Sequence, residues 1–272
     1  MKFLIPIIVC VAVYFAYTFN IYIGIIATII FLVFLSKKII PLVYKVKSRS
    51  AFSEGNYALA KSLYKKALKY TDDDAKSNIE YTYILLRAGE FEEAQRIMES
   101  VLSHKQDEKT RNVATLQRCM CYYKNGNLEE AYSDAEELYN SGYRSMTLYG
   151  LLGYFKLIKS PNSDETLDFC LEAYEYASDD RDICDNLLIC YYNRGKYEKA
   201  KQISDDIISK NPKFIEAWYH AAQIDVALKD YKSAREKLDK IPECNRSAMT
   251  TIPIEDIDSL NNLVNRKLKE KN

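Results

Sequence analysis

Apolar residues are distributed in three different ways along this 272-residue chain. From Phe3 to Leu35 no residue is charged. From about residue 41 to 242, apolar side chains recur at the i, i+3, i+4 and i+7 positions of amphipathic helices. After Asn245, one more helical stripe is formed by Ile257, Leu260, Val264 and Leu268. These patterns predict an all-α chain in three parts: residues 1–40, 41–242 and 243–272.

The uncharged N-terminal run predicts a membrane anchor. It has 33 residues, and a helix that spans a bilayer needs about 20. A polar point, Thr18 to Asn20, lies close to its middle. The sequence therefore favours a hairpin of two short transmembrane helices, roughly 3–18 and 20–36, which places residues 3–35 in the lipid bilayer. A single tilted helix with surplus apolar residues is the alternative.

The charge distribution predicts the orientation of this anchor. Residues 1–50 contain six cations and no acid, and five of the six follow Leu35 closely. Cations mark the cytoplasmic side of a span, so the remaining chain is expected in the cytoplasm, with the protein integral in the cell membrane. Because the chain has no net charge, residues 51–272 carry a net charge of −6. This charge does not favour nucleic acid as a partner.

A recurring segment dominates the rest of the chain. GNYALAKSLYKKAL begins at Gly55, and similar segments begin at Gly89, Gly126 and Gly195. With Thr166 standing for one alanine, the intervals between aligned positions are 34, 37, 35, 34 and 34. A fixed period of this size indicates a solenoid of stacked repeats. The aligned positions are Ala60, Ala94, Ala131, Thr166, Ala200 and Ala234.

Each repeat is predicted to contain two helices. Gly89 stands where the first helix must end and the chain must turn, which suits a residue that tolerates a positive φ. The small residue five positions later, Ala94, allows the two helices to cross closely. Because one such pair cannot bury its apolar face alone, the repeats must stack on each other.

These segments resemble the tetratricopeptide repeat (TPR), whose signature is Trp-x2-Leu-Gly-x2-Tyr, then Ala-x3-Phe, then Pro. The matching residues are Tyr149, Leu152 and Gly153 in the fourth repeat; Leu187, Tyr191, Gly195, Tyr197, Ala200 and Pro212 in the fifth; and Trp218, Tyr231, Ala234 and Leu238 in the last. The third repeat departs from the signature with Arg118 in place of Leu, and the fourth replaces the turn glycine with SPNSD. The resemblance covers about residues 41–242 as six helix pairs, and residues 243–272 are expected to form a loop and a cap helix.

The chemistry-bearing residues do not indicate an enzyme or a cofactor. The eight glycines stand mostly at repeat turns and form no phosphate-binding loop. Cys119 and Cys121 are too close in sequence for an ordinary zinc site and have no further ligand pair. The seven scattered cysteines do not suggest a disulfide framework. No metal site is expected.

The resemblance implies a binding function. In this family the first helix of each repeat lines a concave groove that binds a protein or peptide partner. By phase, the groove side would carry Tyr83, Met120, Tyr123, Tyr154, Tyr192 and Tyr219, with Leu86, Leu157 and Ile189 between them. An alternative is that about half of these side chains only pack against neighbouring helices.

The expected function is therefore a membrane-tethered scaffold for protein–protein interaction. The alternative is an outward-facing accessory subunit of an envelope-assembly or secretion complex.

Overall fold

The computed structural model describes residues 4–70 and 74–270. It forms two compact units, Met1–Ser77 and Asn78–Asn272, and these described residues contain fourteen α-helices and no β-strand. The helices are α1 Leu4–Phe19, α2 Ile21–Ser53, α3 Tyr57–Leu68, α4 Ala75–Ala88, α5 Phe91–Ser103, α6 Glu108–Lys124, α7 Leu128–Asn140, α8 Met146–Lys159, α9 Asp164–Tyr176, α10 Arg181–Asn193, α11 Tyr197–Ser209, α12 Ile215–Ala227, α13 Tyr231–Leu238 and α14 Ile254–Glu270.

The first unit begins with two packed helices, α1 and α2. The break between them is at Asn20, whose side-chain oxygen accepts a hydrogen bond from the Tyr22 amide at 2.8 Å and so caps α2. The Tyr17 hydroxyl lies 3.1 Å from Thr28 Oγ1 across the pair. Gly24 leaves room for this contact, because a Cβ there would lie 2.3 Å from the Tyr17 ring.

The second helix is longer than the sequence predicted for a membrane span. It does not end near residue 36 but continues through Pro41 to Ser53. The first glycine beyond the apolar run is Gly55, and there the chain turns with φ +76°. The first helix of the first repeat is therefore the last part of α2. The start of the predicted anchor, Phe3, lies outside the described residues.

Helix α2 is the one helix in the described chain that is long and apolar enough to cross a membrane. This conclusion rests on length and composition. Only 6% of its most apolar window is buried within the protein, and large side chains such as Ile30 are mostly exposed (64%).

The repeat phase predicted from the sequence is confirmed at the small positions. All five aligned alanines are completely buried, and Thr166 is 2% exposed. The turn glycines at Gly89, Gly126 and Gly195 have φ between +68° and +87°. In the last repeat Lys229 takes this conformation, with φ +64°, in place of glycine.

The departures from the repeat signature have local explanations. Arg118 on α6 stands where the repeat usually has Leu. Its guanidinium pairs with the Asp134 carboxylate on α7 at 2.8 Å, so the charge that replaces the Leu side chain is balanced. In the fourth repeat the turn ends with Ser163, whose hydroxyl accepts a hydrogen bond from the Thr166 amide. This capping replaces the glycine turn as the signal that starts α9.

The predicted cap helix is confirmed as α14. Ile257, Leu260 and Val264 are buried against the last repeat, in one cluster with Trp218. The indole N–H of Trp218 donates to the Pro212 carbonyl at 2.9 Å, which fixes the start of α12.

Candidate functional site

The first helices of neighbouring repeats pack side by side in the second unit, and their outward surface is called here the first-helix face. Helix α8 contacts α6 on one side and α10 on the other, and α10 contacts α12. The Asn186 side-chain amide donates to the Gly150 carbonyl at 2.7 Å. Gly153 allows this close approach, since a Cβ at that position would lie 2.9 Å from Asn186 Nδ2.

Two of the predicted groove residues, Tyr123 and Tyr154, are in direct contact. Their hydroxyls are 2.8 Å apart, and their rings meet edge to face with centroids 5.5 Å apart. Burial raises the pKa of Tyr154 well above its ordinary value, as does the hydrogen bond to Tyr123. Both tyrosines remain partly exposed, so the pair offers an aromatic surface with a polar edge. Met120 is also partly exposed, on the same helix as Tyr123.

The other predicted tyrosines lie elsewhere. Tyr83 is 42% exposed on α4, with the Arg87 guanidinium 5.6 Å from its ring. Tyr192 is half-buried beside Tyr197. Tyr219 is only 8% exposed, and its hydroxyl accepts a hydrogen bond from Gln223.

The expectation that Leu86 and Leu157 are exposed between the tyrosines is wrong. Leu86 is 1% exposed and Leu157 is 6% exposed, so both belong to the core. First helices can be packed on several sides, as α8 is, because it contacts its own second helix α9 and the neighbouring helices α6, α7 and α10. Large aliphatic positions on them are therefore covered. Ile189 is partly exposed.

The first-helix face also carries charged residues that the sequence reasoning missed. His220 Nδ1 of α12 lies 2.7 Å from the Asp185 carboxylate of α10. Burial alone would lower the pKa of His220, but the charge and hydrogen bond of Asp185 outweigh it and raise the pKa above its usual value. Glu216 also contributes to this rise. The sequence does contain a signal for this pair. Asp185 and His220 are 35 positions apart, and residues one repeat apart lie next to each other in neighbouring repeats.

Glu216 connects several first helices electrostatically. It lies at the start of α12, and its charge acts on Tyr154 of α8 and on Lys124 at the end of α6. Burial lowers the pKa of Lys124, and Glu216 opposes that effect. The ends of α6 and α12 therefore face each other, although two repeats separate them along the chain.

The two neighbouring cysteines, Cys119 and Cys121, lie inside α6. Cys119 and Cys121 are both buried, and burial raises the pKa of Cys121 to about 12. Such a thiol is protonated and is a poor metal ligand. Within the described ranges, no group of three or more His, Cys, Asp or Glu side chains is placed to hold a metal ion.

Comparison with known proteins identifies the repeat. The tetratricopeptide repeat family model matches residues 51–118 and 192–249, which together make a little under half of the chain. Comparison with curated protein sequences found no match.

Several solved structures share the fold. A tetratricopeptide repeat protein from Parabacteroides merdae has a TM-score of 0.55 at 17% identity, with 85% of this chain and 88% of that chain covered. PilF from Pseudomonas aeruginosa has a TM-score of 0.56 at 13% identity, over 84% and 99%. The Cut9–Hcn1 hetero-tetramer of APC/C has a TM-score of 0.64 at 14% identity, over 84% of this chain and 42% of the other. The matching family model and the shared all-helical solenoid fold together support the tetratricopeptide repeat family for this chain.

Proposed function

We propose that the chain is a membrane-tethered scaffold whose first-helix face binds a partner protein. Tetratricopeptide repeats generally mediate protein–protein interactions and typically serve as non-enzymatic scaffolds. The similar Cut9 structure is itself part of a hetero-tetramer. The observation that carries the proposal is the Tyr123–Tyr154 pair, which presents two rigid, partly exposed aromatic rings from consecutive repeats. Tyrosine is enriched among residues that dominate binding energy.

The tether is proposed from the exposed apolar surface of α1 and α2. Along the side of α2 that faces away from α1, large apolar residues are exposed, including Ile26 (58%), Ile30 (64%) and Phe34 (48%). An exposed apolar surface this long is unfavourable in water and suits lipid. The polar side chains in this segment satisfy themselves locally: the Thr28 hydroxyl donates to the Gly24 carbonyl at 2.9 Å and the Ser36 hydroxyl to the Val33 carbonyl at 2.8 Å.

The binding proposal is tested by partner capture from detergent-solubilised membranes. The bound protein is first identified by cross-linking to the native chain. The variant Tyr123→Ala/Tyr154→Ala/Tyr192→Ala should then capture it at least about thirtyfold more weakly, the factor that corresponds to one hot-spot residue. Tyr176→Ala is the control, because it removes a half-exposed tyrosine from a second helix.

Circular dichroism on the same samples separates binding from folding. Lost capture with retained helical content supports the first-helix face. Undiminished capture by the folded triple variant would move the site to another surface. If the triple variant loses its helical content, capture is measured instead with the corresponding Tyr→Phe variant, which keeps the aromatic rings and removes only the hydroxyls.

A further inference from the structure

The segment that joins the last repeat to α14 follows an indirect path. After a 3₁₀ turn at Ile241–Glu243, the Asn245 amide donates to the Lys213 carbonyl at 2.9 Å, and Asn245 forms a short parallel bridge with Phe214. The segment therefore begins beside the loop that precedes α12. Residues 245–252 are called here the strap.

The tip of the strap is a hydrogen-bonded turn that reaches α4. The Thr250 amide donates to the Ser247 carbonyl at 3.0 Å, which closes the turn. The Ala248 amide donates to the Arg87 carbonyl at 3.4 Å, and Arg87 Nη1 donates to the Ser247 hydroxyl at 3.2 Å. The tip also lies against the turn that follows α4, because a Cβ at Gly89 would lie 3.3 Å from the Ala248 Cβ.

The strap then returns to α12. The Thr251 amide donates to Glu216 Oε1 at 2.9 Å, and its hydroxyl lies 3.3 Å from the same oxygen. Ile252 is buried in the cluster that contains Trp218. Ala248 is three positions after Asn245, and Thr251 is three positions after Ala248. Since an extended residue spans at most about 3.6 Å, each of these crossings covers at most about 11 Å.

The contacts of the strap are of the kind that a bound peptide makes. Backbone amides donate to a carboxylate and to a backbone carbonyl, and the side chains at the tip are small or unbranched. The Lys124 ammonium and the Glu216 carboxylate influence each other beside this path. The anchors Ile241 and Ile252 are buried, whereas the residues from Cys244 to Thr251 are only partly buried or exposed. The tip is therefore the less buried part of the segment, and it lies between two packed anchors.

We infer that the Arg87–Glu216 region of the first-helix face is a peptide-binding site and that the strap is its resident occupant. The partner that fits is a segment able to form the same turn, with Ser or Thr where the strap has Ser247 and Thr251, and it must displace the strap to bind. This inference rests on the proposed function, because it names the class of partner for the same face. A tethered occupant competes at an effective concentration of the order of millimolar, so the strap weakens every external ligand of this site.

The first experiment tests whether the strap can be fixed in place. Gly89→Cys/Ala248→Cys, in a Cys244→Ser background, places two thiols where the Cβ atoms are 3.3 Å apart, close to the range of a disulfide. Gly126→Cys/Ala248→Cys is the matched control. Gly126 is the equivalent turn glycine of the next repeat, with φ +87° and no atom within 4 Å of an added Cβ. Mild oxidation should cross-link the first pair and not the second.

The second experiment measures binding of a fluorescein-labelled synthetic peptide, NRSAMTTI, which has the sequence of residues 245–252. Ala248→Pro/Thr251→Pro removes the two amide donors at unchanged length, and proline is favoured at the second position of the turn. This variant in detergent should bind the peptide at least tenfold more tightly than the native chain. The oxidised Gly89→Cys/Ala248→Cys protein should not bind it, and reduction should restore binding to the native level.

Equal binding to the native and the Ala248→Pro/Thr251→Pro chains would overturn the inference, as would no binding to either or cross-linking of both cysteine pairs. Circular dichroism establishes that each variant is folded. If Ala248→Pro/Thr251→Pro is not folded, Arg87→Ala/Glu216→Ala takes its place in the binding measurement; this variant removes side chains of the site and must bind the peptide more weakly than the native chain. The readout uses no natural partner. Failure of the tyrosine variants to affect partner capture therefore refutes the proposed function without deciding this result, and the peptide result decides the strap by itself.

Discussion

Single side chains connect the first helices by contacts between residues about one repeat apart. Tyr123 and Tyr154 are 31 positions apart, and Asp185 and His220 are 35 positions apart. In a solenoid such positions are adjacent, so a polar pair that spans one period joins two repeats. The His220–Asp185 pair is also largely buried, with side chains 11% and 15% exposed, which makes its protonation part of the stability of the unit.

The stability of the chain should depend on the charge of His220. Asp185 raises the pKa of His220 in the folded chain, whereas an unfolded histidine has a pKa near 6.5. The pair therefore stabilises the fold fully below about pH 6.5 and loses this contribution as the pH rises through the raised pKa. His220→Gln should lower the free energy of unfolding by about 1.5–3 kcal/mol at pH 6, the usual range for a charged hydrogen bond, and by less at pH 9.

Urea unfolding of the full chain in detergent, followed by circular dichroism, measures this difference. His104→Gln is the control, because His104 is exposed at the end of α5 and its replacement should change stability very little. A His220→Gln effect that stays constant or increases from pH 6 to pH 9 would contradict the assigned ion pair.

Pairs of helices are the elements that the sequence specifies most clearly. A period of 34–37 residues, a turn glycine and a small residue at the crossing are all local signals, and each constrains the backbone or the packing directly. The burial of Ala94 and Ala200 and the positive φ of Gly89 follow from that chemistry. Lys229 shows the limit of this reading, because a lysine can adopt the turn conformation when the flanking helices are fixed by packing.

The contacts of the first-helix face could not be predicted in the same way. The exposure of Tyr219 and Leu157 depends on how closely successive repeats approach each other, and that distance is set by many contacts of the whole repeat array. The strap presents the same difficulty, since Ser247 and Arg87 are 160 positions apart. No local pattern in residues 245–252 predicts that this segment contacts Arg87.

The helix crossing in the fifth repeat should not accept a larger side chain. Ala200 is completely buried between α10, α11 and α12, in a cluster with Leu188 and Ala217. Ala200→Leu adds three carbon atoms where no space exists, and overpacking of this kind costs about 1–3 kcal/mol. The free energy of unfolding in urea should fall by that amount. Gln202→Leu, at an exposed position of the same helix, should change it by less than about 0.5 kcal/mol; equal effects of the two would contradict the repeat phase.

At the scale of the whole molecule, a strongly apolar N-terminal segment is combined with an acidic repeat region. Six cations and no acid occur in residues 1–50, whereas the rest carries the compensating negative charge. Because Lys37 and Lys38 follow the apolar stretch within α2, the helix leaves the proposed bilayer through a cationic segment before the first repeat turns at Gly55. If the proposed anchor is in the membrane, the positive-inside rule predicts that the repeats face the cytoplasm.

Protease accessibility tests this orientation and the proposed tether together. Proteinase K added to intact cells or to right-side-out vesicles should leave residues 50–272 undigested, because the membrane shields them, and detergent should make the same residues accessible. A cytoplasmic marker protein must stay intact in the same sample, and an outward-facing membrane protein must be digested. Sodium carbonate extraction should leave the chain in the membrane pellet, as expected for helices embedded in lipid.

Digestion in intact cells would reverse the orientation and favour an outward-facing accessory subunit. Release by carbonate would contradict the membrane anchor, and the exposed apolar residues of α2 would then require a protein partner to cover them.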